Sequence, residues 1–270
     1  MYSKPFHTID ISNSSFLITG GAGFVGSNIA QYLMMHGAGK VRVLDNLCEG
    51  KIQNIEEYLS EPNFEFIEGD ISNASTCQKA CEGIDYISHQ AALGSVPRSL
   101  ATPLLTNEAN VTGFLNMLTA AKDAKVKRFV YASSSSVYGD SQKLPKVEEH
   151  IGDPLSPYAA SKFVNEVYAG VYALNYGIEV VGLRYFNIFG PKQKPDGPYA
   201  AVIPLFMDAL LKGESPFING DGEQSRDFTF VENAVQANIK GMFSTVAGAA
   251  GKVYNIAYGE RTTINELYFN

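Results

Sequence analysis

The sequence predicts an α/β fold, a doubly wound parallel sheet with a smaller second lobe. Three observations predict it. Short β-rich runs alternate with helical stretches as far as residue 186. Several of the runs are almost unbroken apolar segments, as strands buried on both faces require. A glycine-rich turn stands between the first run and the first helical stretch.

The runs are 16–19 (FLIT), 41–45 (VRVLD), 64–70 (FEFIEGD), 85–90 (DYISHQ), 128–134 (RFVYASS) and 179–185 (EVVGLRY). Helices are expected over 24–36, 51–60, 73–82, 105–124 and 157–175. In the last of these, Ser156 suits the N-cap and Pro157 the first helical position. Val164, Val167, Tyr168 and Val171 fall on one stripe of it. After residue 186 the rhythm changes, with Pro191, Pro195, Gly197, Pro198, Pro204 and Gly213 crowding a loop-rich region. Residues 217–231 (FINGDGEQSRDFTFV) read as a hairpin around Asp221-Gly222. A helix over 231–246 and a strand over 253–257 (VYNIA) follow, and a last helix begins at Thr263, with Glu266 placed to complete a capping box. The expected division is a main domain of 1–186 and 231–258 and a smaller lobe of 187–230 and 259–270.

The 270 residues are 45% hydrophobic and 18% charged, an ordinary soluble composition. A net charge of −7 argues against a broad basic face for nucleic acid. No apolar run approaches the roughly 20 residues of a bilayer span, and the polar N-terminus lacks the apolar block of a signal peptide. Cys48, Cys77 and Cys81 make no disulfide framework, and no Cys/His grouping has zinc spacing. His7, His36, His89 and His150 are scattered. These features lead to the expectation of a cytoplasmic, metal-free protein with no membrane or nucleic-acid partner.

The glycine turn lies in LITGGAGFVGSNIAQYL (17–33), where Gly20, Gly23 and Gly26 form a GxxGxxG pattern. Gly20 permits a tight turn, Gly23 lets the backbone approach a pyrophosphate, and Gly26 allows close helix packing. The helix N-terminal amides then face the anion. The pattern suits a Rossmann-type dinucleotide site. Asp45 ends the second run, where a carboxylate can accept hydrogen bonds from an adenosine ribose and would repel a 2′-phosphate, favouring NAD; a strand-end Asp capping the next turn is the alternative. Asp70 ends the third run and fits the adenine edge, and Gln90, Ala91 and Ala92 would let a cofactor lie across the sheet edge. His89 reads as a packed strand residue.

The fifth run ends in YASSSSVYGD (131–140), placing hydroxyls where such folds bind ligands. In SPYAASK (156–162), Tyr158 and Lys162 stand one helical turn apart on one face. An unperturbed phenol, with a pKa of about 10, is a poor base near neutrality. A Lys162 ammonium and an oxidised nicotinamide would both favour the phenolate. Lys162 can also hold ribose hydroxyls, and Ser134 can hydrogen-bond the reacting oxygen and pass its proton toward Tyr158. A core tyrosine beside a surface lysine, and a serine-rich polar turn, are the plainer readings of the same residues.

TGGAGFVG, Asp45-Asn46, the serine run, Tyr158-xxx-Lys162 and RYFNIFGP (184–191) together resemble the extended short-chain dehydrogenase/reductase superfamily. Within it, HQAALGSVPRS (89–99), SSSSVYGD, LSPYAASK and INGDGEQSRDF resemble bacterial UDP-N-acetylglucosamine 4-epimerases. The resemblance implies that Tyr158 moves the proton of the sugar 4-hydroxyl, with Lys162 and Ser134 as its catalytic partners. It implies NAD held by Gly20, Gly23, Phe24, Val25, Gly26, Asp45, Asn46, Asp70, Ile71, Gln90, Ala91, Ala92, Asn110 and Phe186. A UDP-sugar would meet Gly94, Ser95, Arg98, Ser135, Ser136 and Asn187 at the sugar end. Its uridine would meet Ala201, Val202, Pro204, Phe217 and Asn219, and its diphosphate Arg226, whose plainer reading is a solvated hairpin charge beside Asp227. A homodimer through 105–124 and 157–175, and a second diphosphate-binding arginine beyond residue 270, are also implied.

A related 4,6-dehydratase carries an Asp-Glu acid/base pair in the stretch where this chain has Ser135 and Ser136, and a UDP-glucuronate decarboxylase carries a Glu where Ser136 stands. LGSVPRS leans toward an acetamido sugar rather than glucose. A non-catalytic NAD-binding sensor is the alternative of another class, and retention of both Tyr158 and Lys162 counts against it.

Overall fold

The structure is a computed structural model that describes residues 1–195 and 201–269. Its strands are β1 (Ser15–Thr19), β2 (Lys40–Asp45), β3 (Phe64–Glu68), β4 (Tyr86–His89), β5 (Arg128–Ser134), β6 (Val180–Tyr185), β7 (Asn187–Phe189), β8 (Ser225–Arg226), β9 (Phe228–Phe230), β10 (Lys252–Ile256) and β11 (Thr262–Thr263). Its helices are α1 (Phe24–Met35), α2 (Ala74–Cys81), α3 (Val96–Ala101), α4 (Pro103–Asn107), α5 (Gly113–Asp123), α6 (Pro157–Tyr176), α7 (Val202–Leu211), α8 (Val231–Phe243) and α9 (Ile264–Phe269).

Seven strands form one sheet in the order β10-β6-β5-β4-β1-β2-β3, and every pairing in it is parallel. The apolar runs are buried on both faces because helices cover both. Ile29, Leu33, Val235 and Ile239 of α1 and α8 pack on one side. Cys77, Phe114, Leu118 and Ala169 of α2, α5 and α6 pack on the other. The chain steps outward from β1 through β2 and β3, then returns to β4 on the opposite side of β1. Strand order therefore reverses between β1 and β4, and a crevice opens at their carboxyl ends. Among the described residues, no helix is long and apolar enough to cross a membrane.

Four local expectations are corrected. The helix expected over 51–60 is two single turns, Ile52–Asn54 and Glu56–Tyr58, because Ile55 alone in that stretch is buried to anchor it. The helix expected over 105–124 is interrupted by a π segment, Glu108–Thr112. There Asn110, 2% exposed, turns inward to bond both the N–H and the C=O of Leu93. The expected hairpin does not form: residues 217–220 carry no strand, and both strands of this stretch follow Asp221-Gly222. β8 pairs antiparallel with β11, and β9 parallel with β7. Asp227, between β8 and β9, ties the stretch to the segment after β10, since its carboxylate takes the N–H groups of Tyr258 and Gly259. In the proline-rich region, Pro204 lies in the first turn of α7, where its missing N–H costs nothing. Gly197 and Pro198 lie outside the described residues.

The apolar stripe of α6 is only half exposed: Val167 and Val171 face outward, while Tyr168 packs against the core. The helix buries a small and polar face instead: Ala159, Ser161, Lys162, Asn165 and Ala169. The histidines are less scattered than expected, because the N-terminal segment brings the rings of His7 and His36 within 5.5 Å. The capping box of Thr263 and Glu266 is present in both directions.

Phe114 stands against His89, Phe129 and Tyr131 beneath the crevice. Phe114→Ala is expected to destabilise the fold by about 3–5 kcal/mol. Chemical denaturation at equal protein concentration measures this.

Candidate active site

A cleft of about 970 Å³ occupies the carboxyl edge of the sheet. Its floor is the glycine turn. Gly20 holds φ +65°, and a Cβ there would stand 2.7 Å from the Ala91 nitrogen, so β1 and β4 release their loops in near contact. A Cβ on Gly26 would fall 2.3 Å from the Gly20 carbonyl oxygen. Gly23 caps α1 with no side-chain hydrogen bond, which leaves first-turn N–H groups for an anion. Phe24 and Val25 complete this wall.

Asp45, Asn46, Asp70, Ile71, Gln90, Ala91 and Ala92 follow along the cleft. Asp45 meets both readings of it. It lines the cleft, yet its oxygens accept the N–H groups of Ala22 (3.0 Å) and Leu47 (2.8 Å), tying β2 to the glycine turn. Burial pushes its carboxyl up, against the N–H groups of Leu47, Ala22 and Gly23. Asp70 is also desolvated, but the N–H of Ser72 and the Asn46 amide outweigh that and hold its carboxyl low. Gln90 is fixed by Ser88, Asn238 and Tyr185. Asn110 differs from the expectation. Its amide is spent on Leu93 and Ser161, so it shapes the loop rather than lining the cleft.

Tyr158, Lys162 and Ser134 meet in the cleft opposite the glycine turn, with Phe186 alongside. Ser156 caps α6 through the Ala159 N–H, which fixes Tyr158 in the first turn and Lys162 one turn on. Lys162 is 3% exposed and donates to the Ala132 carbonyl at 2.9 Å. Burial lowers its pKa to about 8, opposed by the charge of Glu166. Desolvation raises the Tyr158 phenol, and a hydrogen bond from Ser134 opposes the rise. This corrects the expectation that Lys162 lowers the phenol. The ammonium lies 6.0 Å from the ring centre and points to the strand end. His89 is the packed strand residue expected, stacked on Phe129 and bonded to Thr19, its pKa lowered to about 3 by burial and by Lys162.

Of the residues expected at the sugar end, Gly94, Ser95, Arg98, Ser134, Ser135 and Asn187 line the cleft, and so does Ala201, expected at the uridine. Ser95 takes φ +98° and caps α3 through the Arg98 N–H. Ser136 does not line the cleft, and its hydroxyl oxygen is buried without a partner among the described residues. Val202, Pro204, Phe217, Asn219 and Arg226 are not brought to the cleft. The reason lies in α7, which buries Pro204 and Phe206 but leaves Leu210 and Leu211 exposed, so little packing draws it over the crevice. Phe217 is 81% exposed. Arg226 is exposed and donates to the neighbouring Ser225 carbonyl.

Sequence reasoning missed Lys192, Gln193 and Lys194. They follow Gly190, whose φ of +147° turns the chain back over the cofactor end. The Gly190-Pro191 pair was the available signal. The Gln193 side-chain oxygen is buried without a partner among the described residues.

Sequence comparison decides the affiliation. The profile of the NAD dependent epimerase/dehydratase family matches residues 16–257. The chain belongs to this family. A UDP-glucose 4-epimerase of Mycolicibacterium smegmatis is 36% identical over 256 residues, covering 93% of this chain and 80% of that protein. The solved UDP-N-acetylglucosamine 4-epimerase of Methanobrevibacter ruminantium M1, in complex with UDP-N-acetylmuramic acid, is 42% identical. It superimposes with a TM-score of 0.89 over 95% of this chain and 80% of that one. The UDP-glucose 4-epimerase of Thermotoga maritima, solved with UDP-glucose, is 35% identical with a TM-score of 0.87, over 94% and 80% of the two chains.

The cofactor is NAD, and the cleft fits it: a glycine cradle without Cβ atoms, an uncapped helix start and the Asp45 carboxylate. Gly26→Ala is expected to weaken NAD binding about tenfold, since relieving the clash costs about 1–3 kcal/mol. Calorimetric titration with NAD tests this.

Proposed function

We propose that the chain catalyses NAD-dependent 4-epimerisation of a UDP-hexose, with UDP-GlcNAc/UDP-GalNAc as the preferred pair, as a cytoplasmic enzyme of polysaccharide biosynthesis. The observation that carries this reading is the meeting of Tyr158, Lys162 and Ser134 at the open edge of a cofactor cleft. The Methanobrevibacter structure and the LGSVPRS stretch favour the acetamido sugar. The Mycolicibacterium and Thermotoga relatives favour the UDP-glucose/UDP-galactose pair as the second reading.

Tyr158 takes the 4-hydroxyl proton as a phenolate, a form that the Ser134 hydrogen bond favours and that the positive charge of an oxidised nicotinamide would favour further against its desolvation, and Ser134 steadies the same oxygen. NAD, when bound, supplies the acceptor for the C4 hydride and gives it back. Epimerisation would require the 4-keto sugar to turn over within the pocket and present its other face to the cofactor. Tyr158 then reprotonates the oxygen. Ser135 and Ser136 offer only hydroxyls, which ionise far above neutrality, so elimination has no acid/base pair to use.

The proposed assembly is a homodimer. Leu104 and Leu105 on α4 and Val167, Val171 and Leu174 on the neighbouring α6 are exposed, with Leu104 at 85% and Leu174 at 84%. A second copy would cover that face. Leu104→Arg with Leu174→Arg is expected to halve the mass measured by light scattering.

Tyr158→Phe is expected to lower kcat by about 10²–10⁴-fold with NAD binding retained. Incubation with UDP-GlcNAc and UDP-glucose separately, resolving the 4-epimers by NMR, measures it. Full activity in the variant would remove Tyr158 from the chemistry, and net NADH release would replace epimerisation by oxidation.

A further inference from the structure

Behind Lys162 lies a buried ion pair that the mechanism above does not use. Glu166 stands one turn after Lys162 on α6. Its two oxygens accept Arg184 Nε at 3.0 Å and Nη2 at 2.8 Å, and the two side chains are 8% and 5% exposed. The Ser133 hydroxyl also donates to Glu166. Ser133 lies between Ala132, whose carbonyl holds Lys162, and Ser134. The remaining Arg184 nitrogen donates to Tyr138 Oη at 3.1 Å and to the Glu148 carbonyl at 3.0 Å. Tyr138 in turn donates to Asn255 of β10 at 2.7 Å. One carboxylate thus joins α6, β5 and β6 directly beneath the catalytic group.

Burying such a pair is costly, and apolar residues would serve stability as well or better. Its position supplies another reason for it. We propose that Glu166, gripped by Arg184 and Ser133, is a positioning residue that supplies the counter-charge for Lys162 and fixes the strand end carrying Ala132 and Ser134. A buried ammonium loses its proton readily, and a carboxylate one turn away opposes that loss. Arg184 keeps the carboxylate from swinging to Lys162 and closing an ion pair that would take the ammonium out of the cleft.

The other titratable groups near this centre are Tyr158 on the same helix, His89 from β4, Tyr131 from β5 and Tyr138 from the turn after β5. Arg98 and Glu108, from the segments packed against α6, line the same cleft. Desolvation keeps His89 and Tyr131 uncharged near neutrality. Glu166 is therefore the anion on the buried side of Lys162.

The inference deepens the proposed reaction and rests on its use of Lys162, but its test needs no UDP-sugar. Protein labelled with ¹³C at the lysine ε-carbons is titrated by NMR, with the Lys162 signal assigned by its loss in Lys162→Met. The wild-type signal is expected to titrate near pH 8. Glu166→Gln keeps the shape and removes the charge, and should move that midpoint down by about one unit. Glu166→Asp keeps the charge and should leave it near the wild-type position while kcat falls. An unchanged midpoint in Glu166→Gln would overturn the proposal even if epimerisation were established. A shifted midpoint with no turnover on any UDP-sugar would leave it standing and sink the proposed reaction. Should Glu166→Gln not fold, the double variant Glu166→Gln/Arg184→Met, which leaves no unpaired Arg184 charge, must still shift the midpoint down, by less than the single variant because the Arg184 cation is gone too. Failure of both to fold would assign the pair to stability alone and overturn the proposal.

Discussion

The site depends on an ammonium group buried at the end of β5. A buried lysine needs partners for its N–H groups, and its charge must be opposed or lost. The fold meets the first need with the Ala132 carbonyl, presented where β5 ends. It leaves Lys162 on the wall of the cleft, where further partners must come from what the cleft holds. Burial lowers the lysine to about 8 and raises the phenol, so the lysine becomes the more acidic of the two, the reverse of their order in free solution. It is the ammonium, not the phenol, that burial brings toward neutrality.

The parallel sheet was legible because its strands are buried on both faces and are written as continuous apolar runs. The glycine turn was legible because only glycine fits where a Cβ would strike backbone, as at Gly20 and Gly26. The Tyr158/Lys162 pairing followed from helical spacing alone. Less legible was anything set by contacts between distant segments. The inward turn of Asn110 depends on the Leu93 loop meeting the helix, and no periodicity encodes that. The pairing of β8 with β11 and the reach of Asp227 to Tyr258 and Gly259 likewise join segments far apart in the chain. The direction of the phenol shift was misread because spacing shows that two groups are neighbours, not how dry their surroundings are. The uridine residues came from resemblance; Ala201 lines the cleft, while α7, which buries Pro204 and Phe206, does not carry Val202 and Pro204 to it.

The two ends of the cleft differ in ways that suit a reaction without net oxidation. The cofactor end is rigid, with glycines in near contact and carboxylates tied to backbone N–H groups. The sugar end is looser. It holds small residues and a serine at positive φ. A cofactor that must keep its hydride for return needs the first, and a keto sugar that must turn over needs the second.

The measurement that bears most directly on this account is the fate of the sugar's C4 hydrogen. UDP-GlcNAc deuterated at C4 is incubated with the enzyme in ordinary water, and the product is analysed by NMR. Return of the same hydride predicts product that keeps the label at C4 in the inverted configuration, with no reduced cofactor accumulating. Inverted product carrying solvent hydrogen at C4 would contradict it, because the hydrogen would then have left as a proton rather than as a hydride held in the cleft.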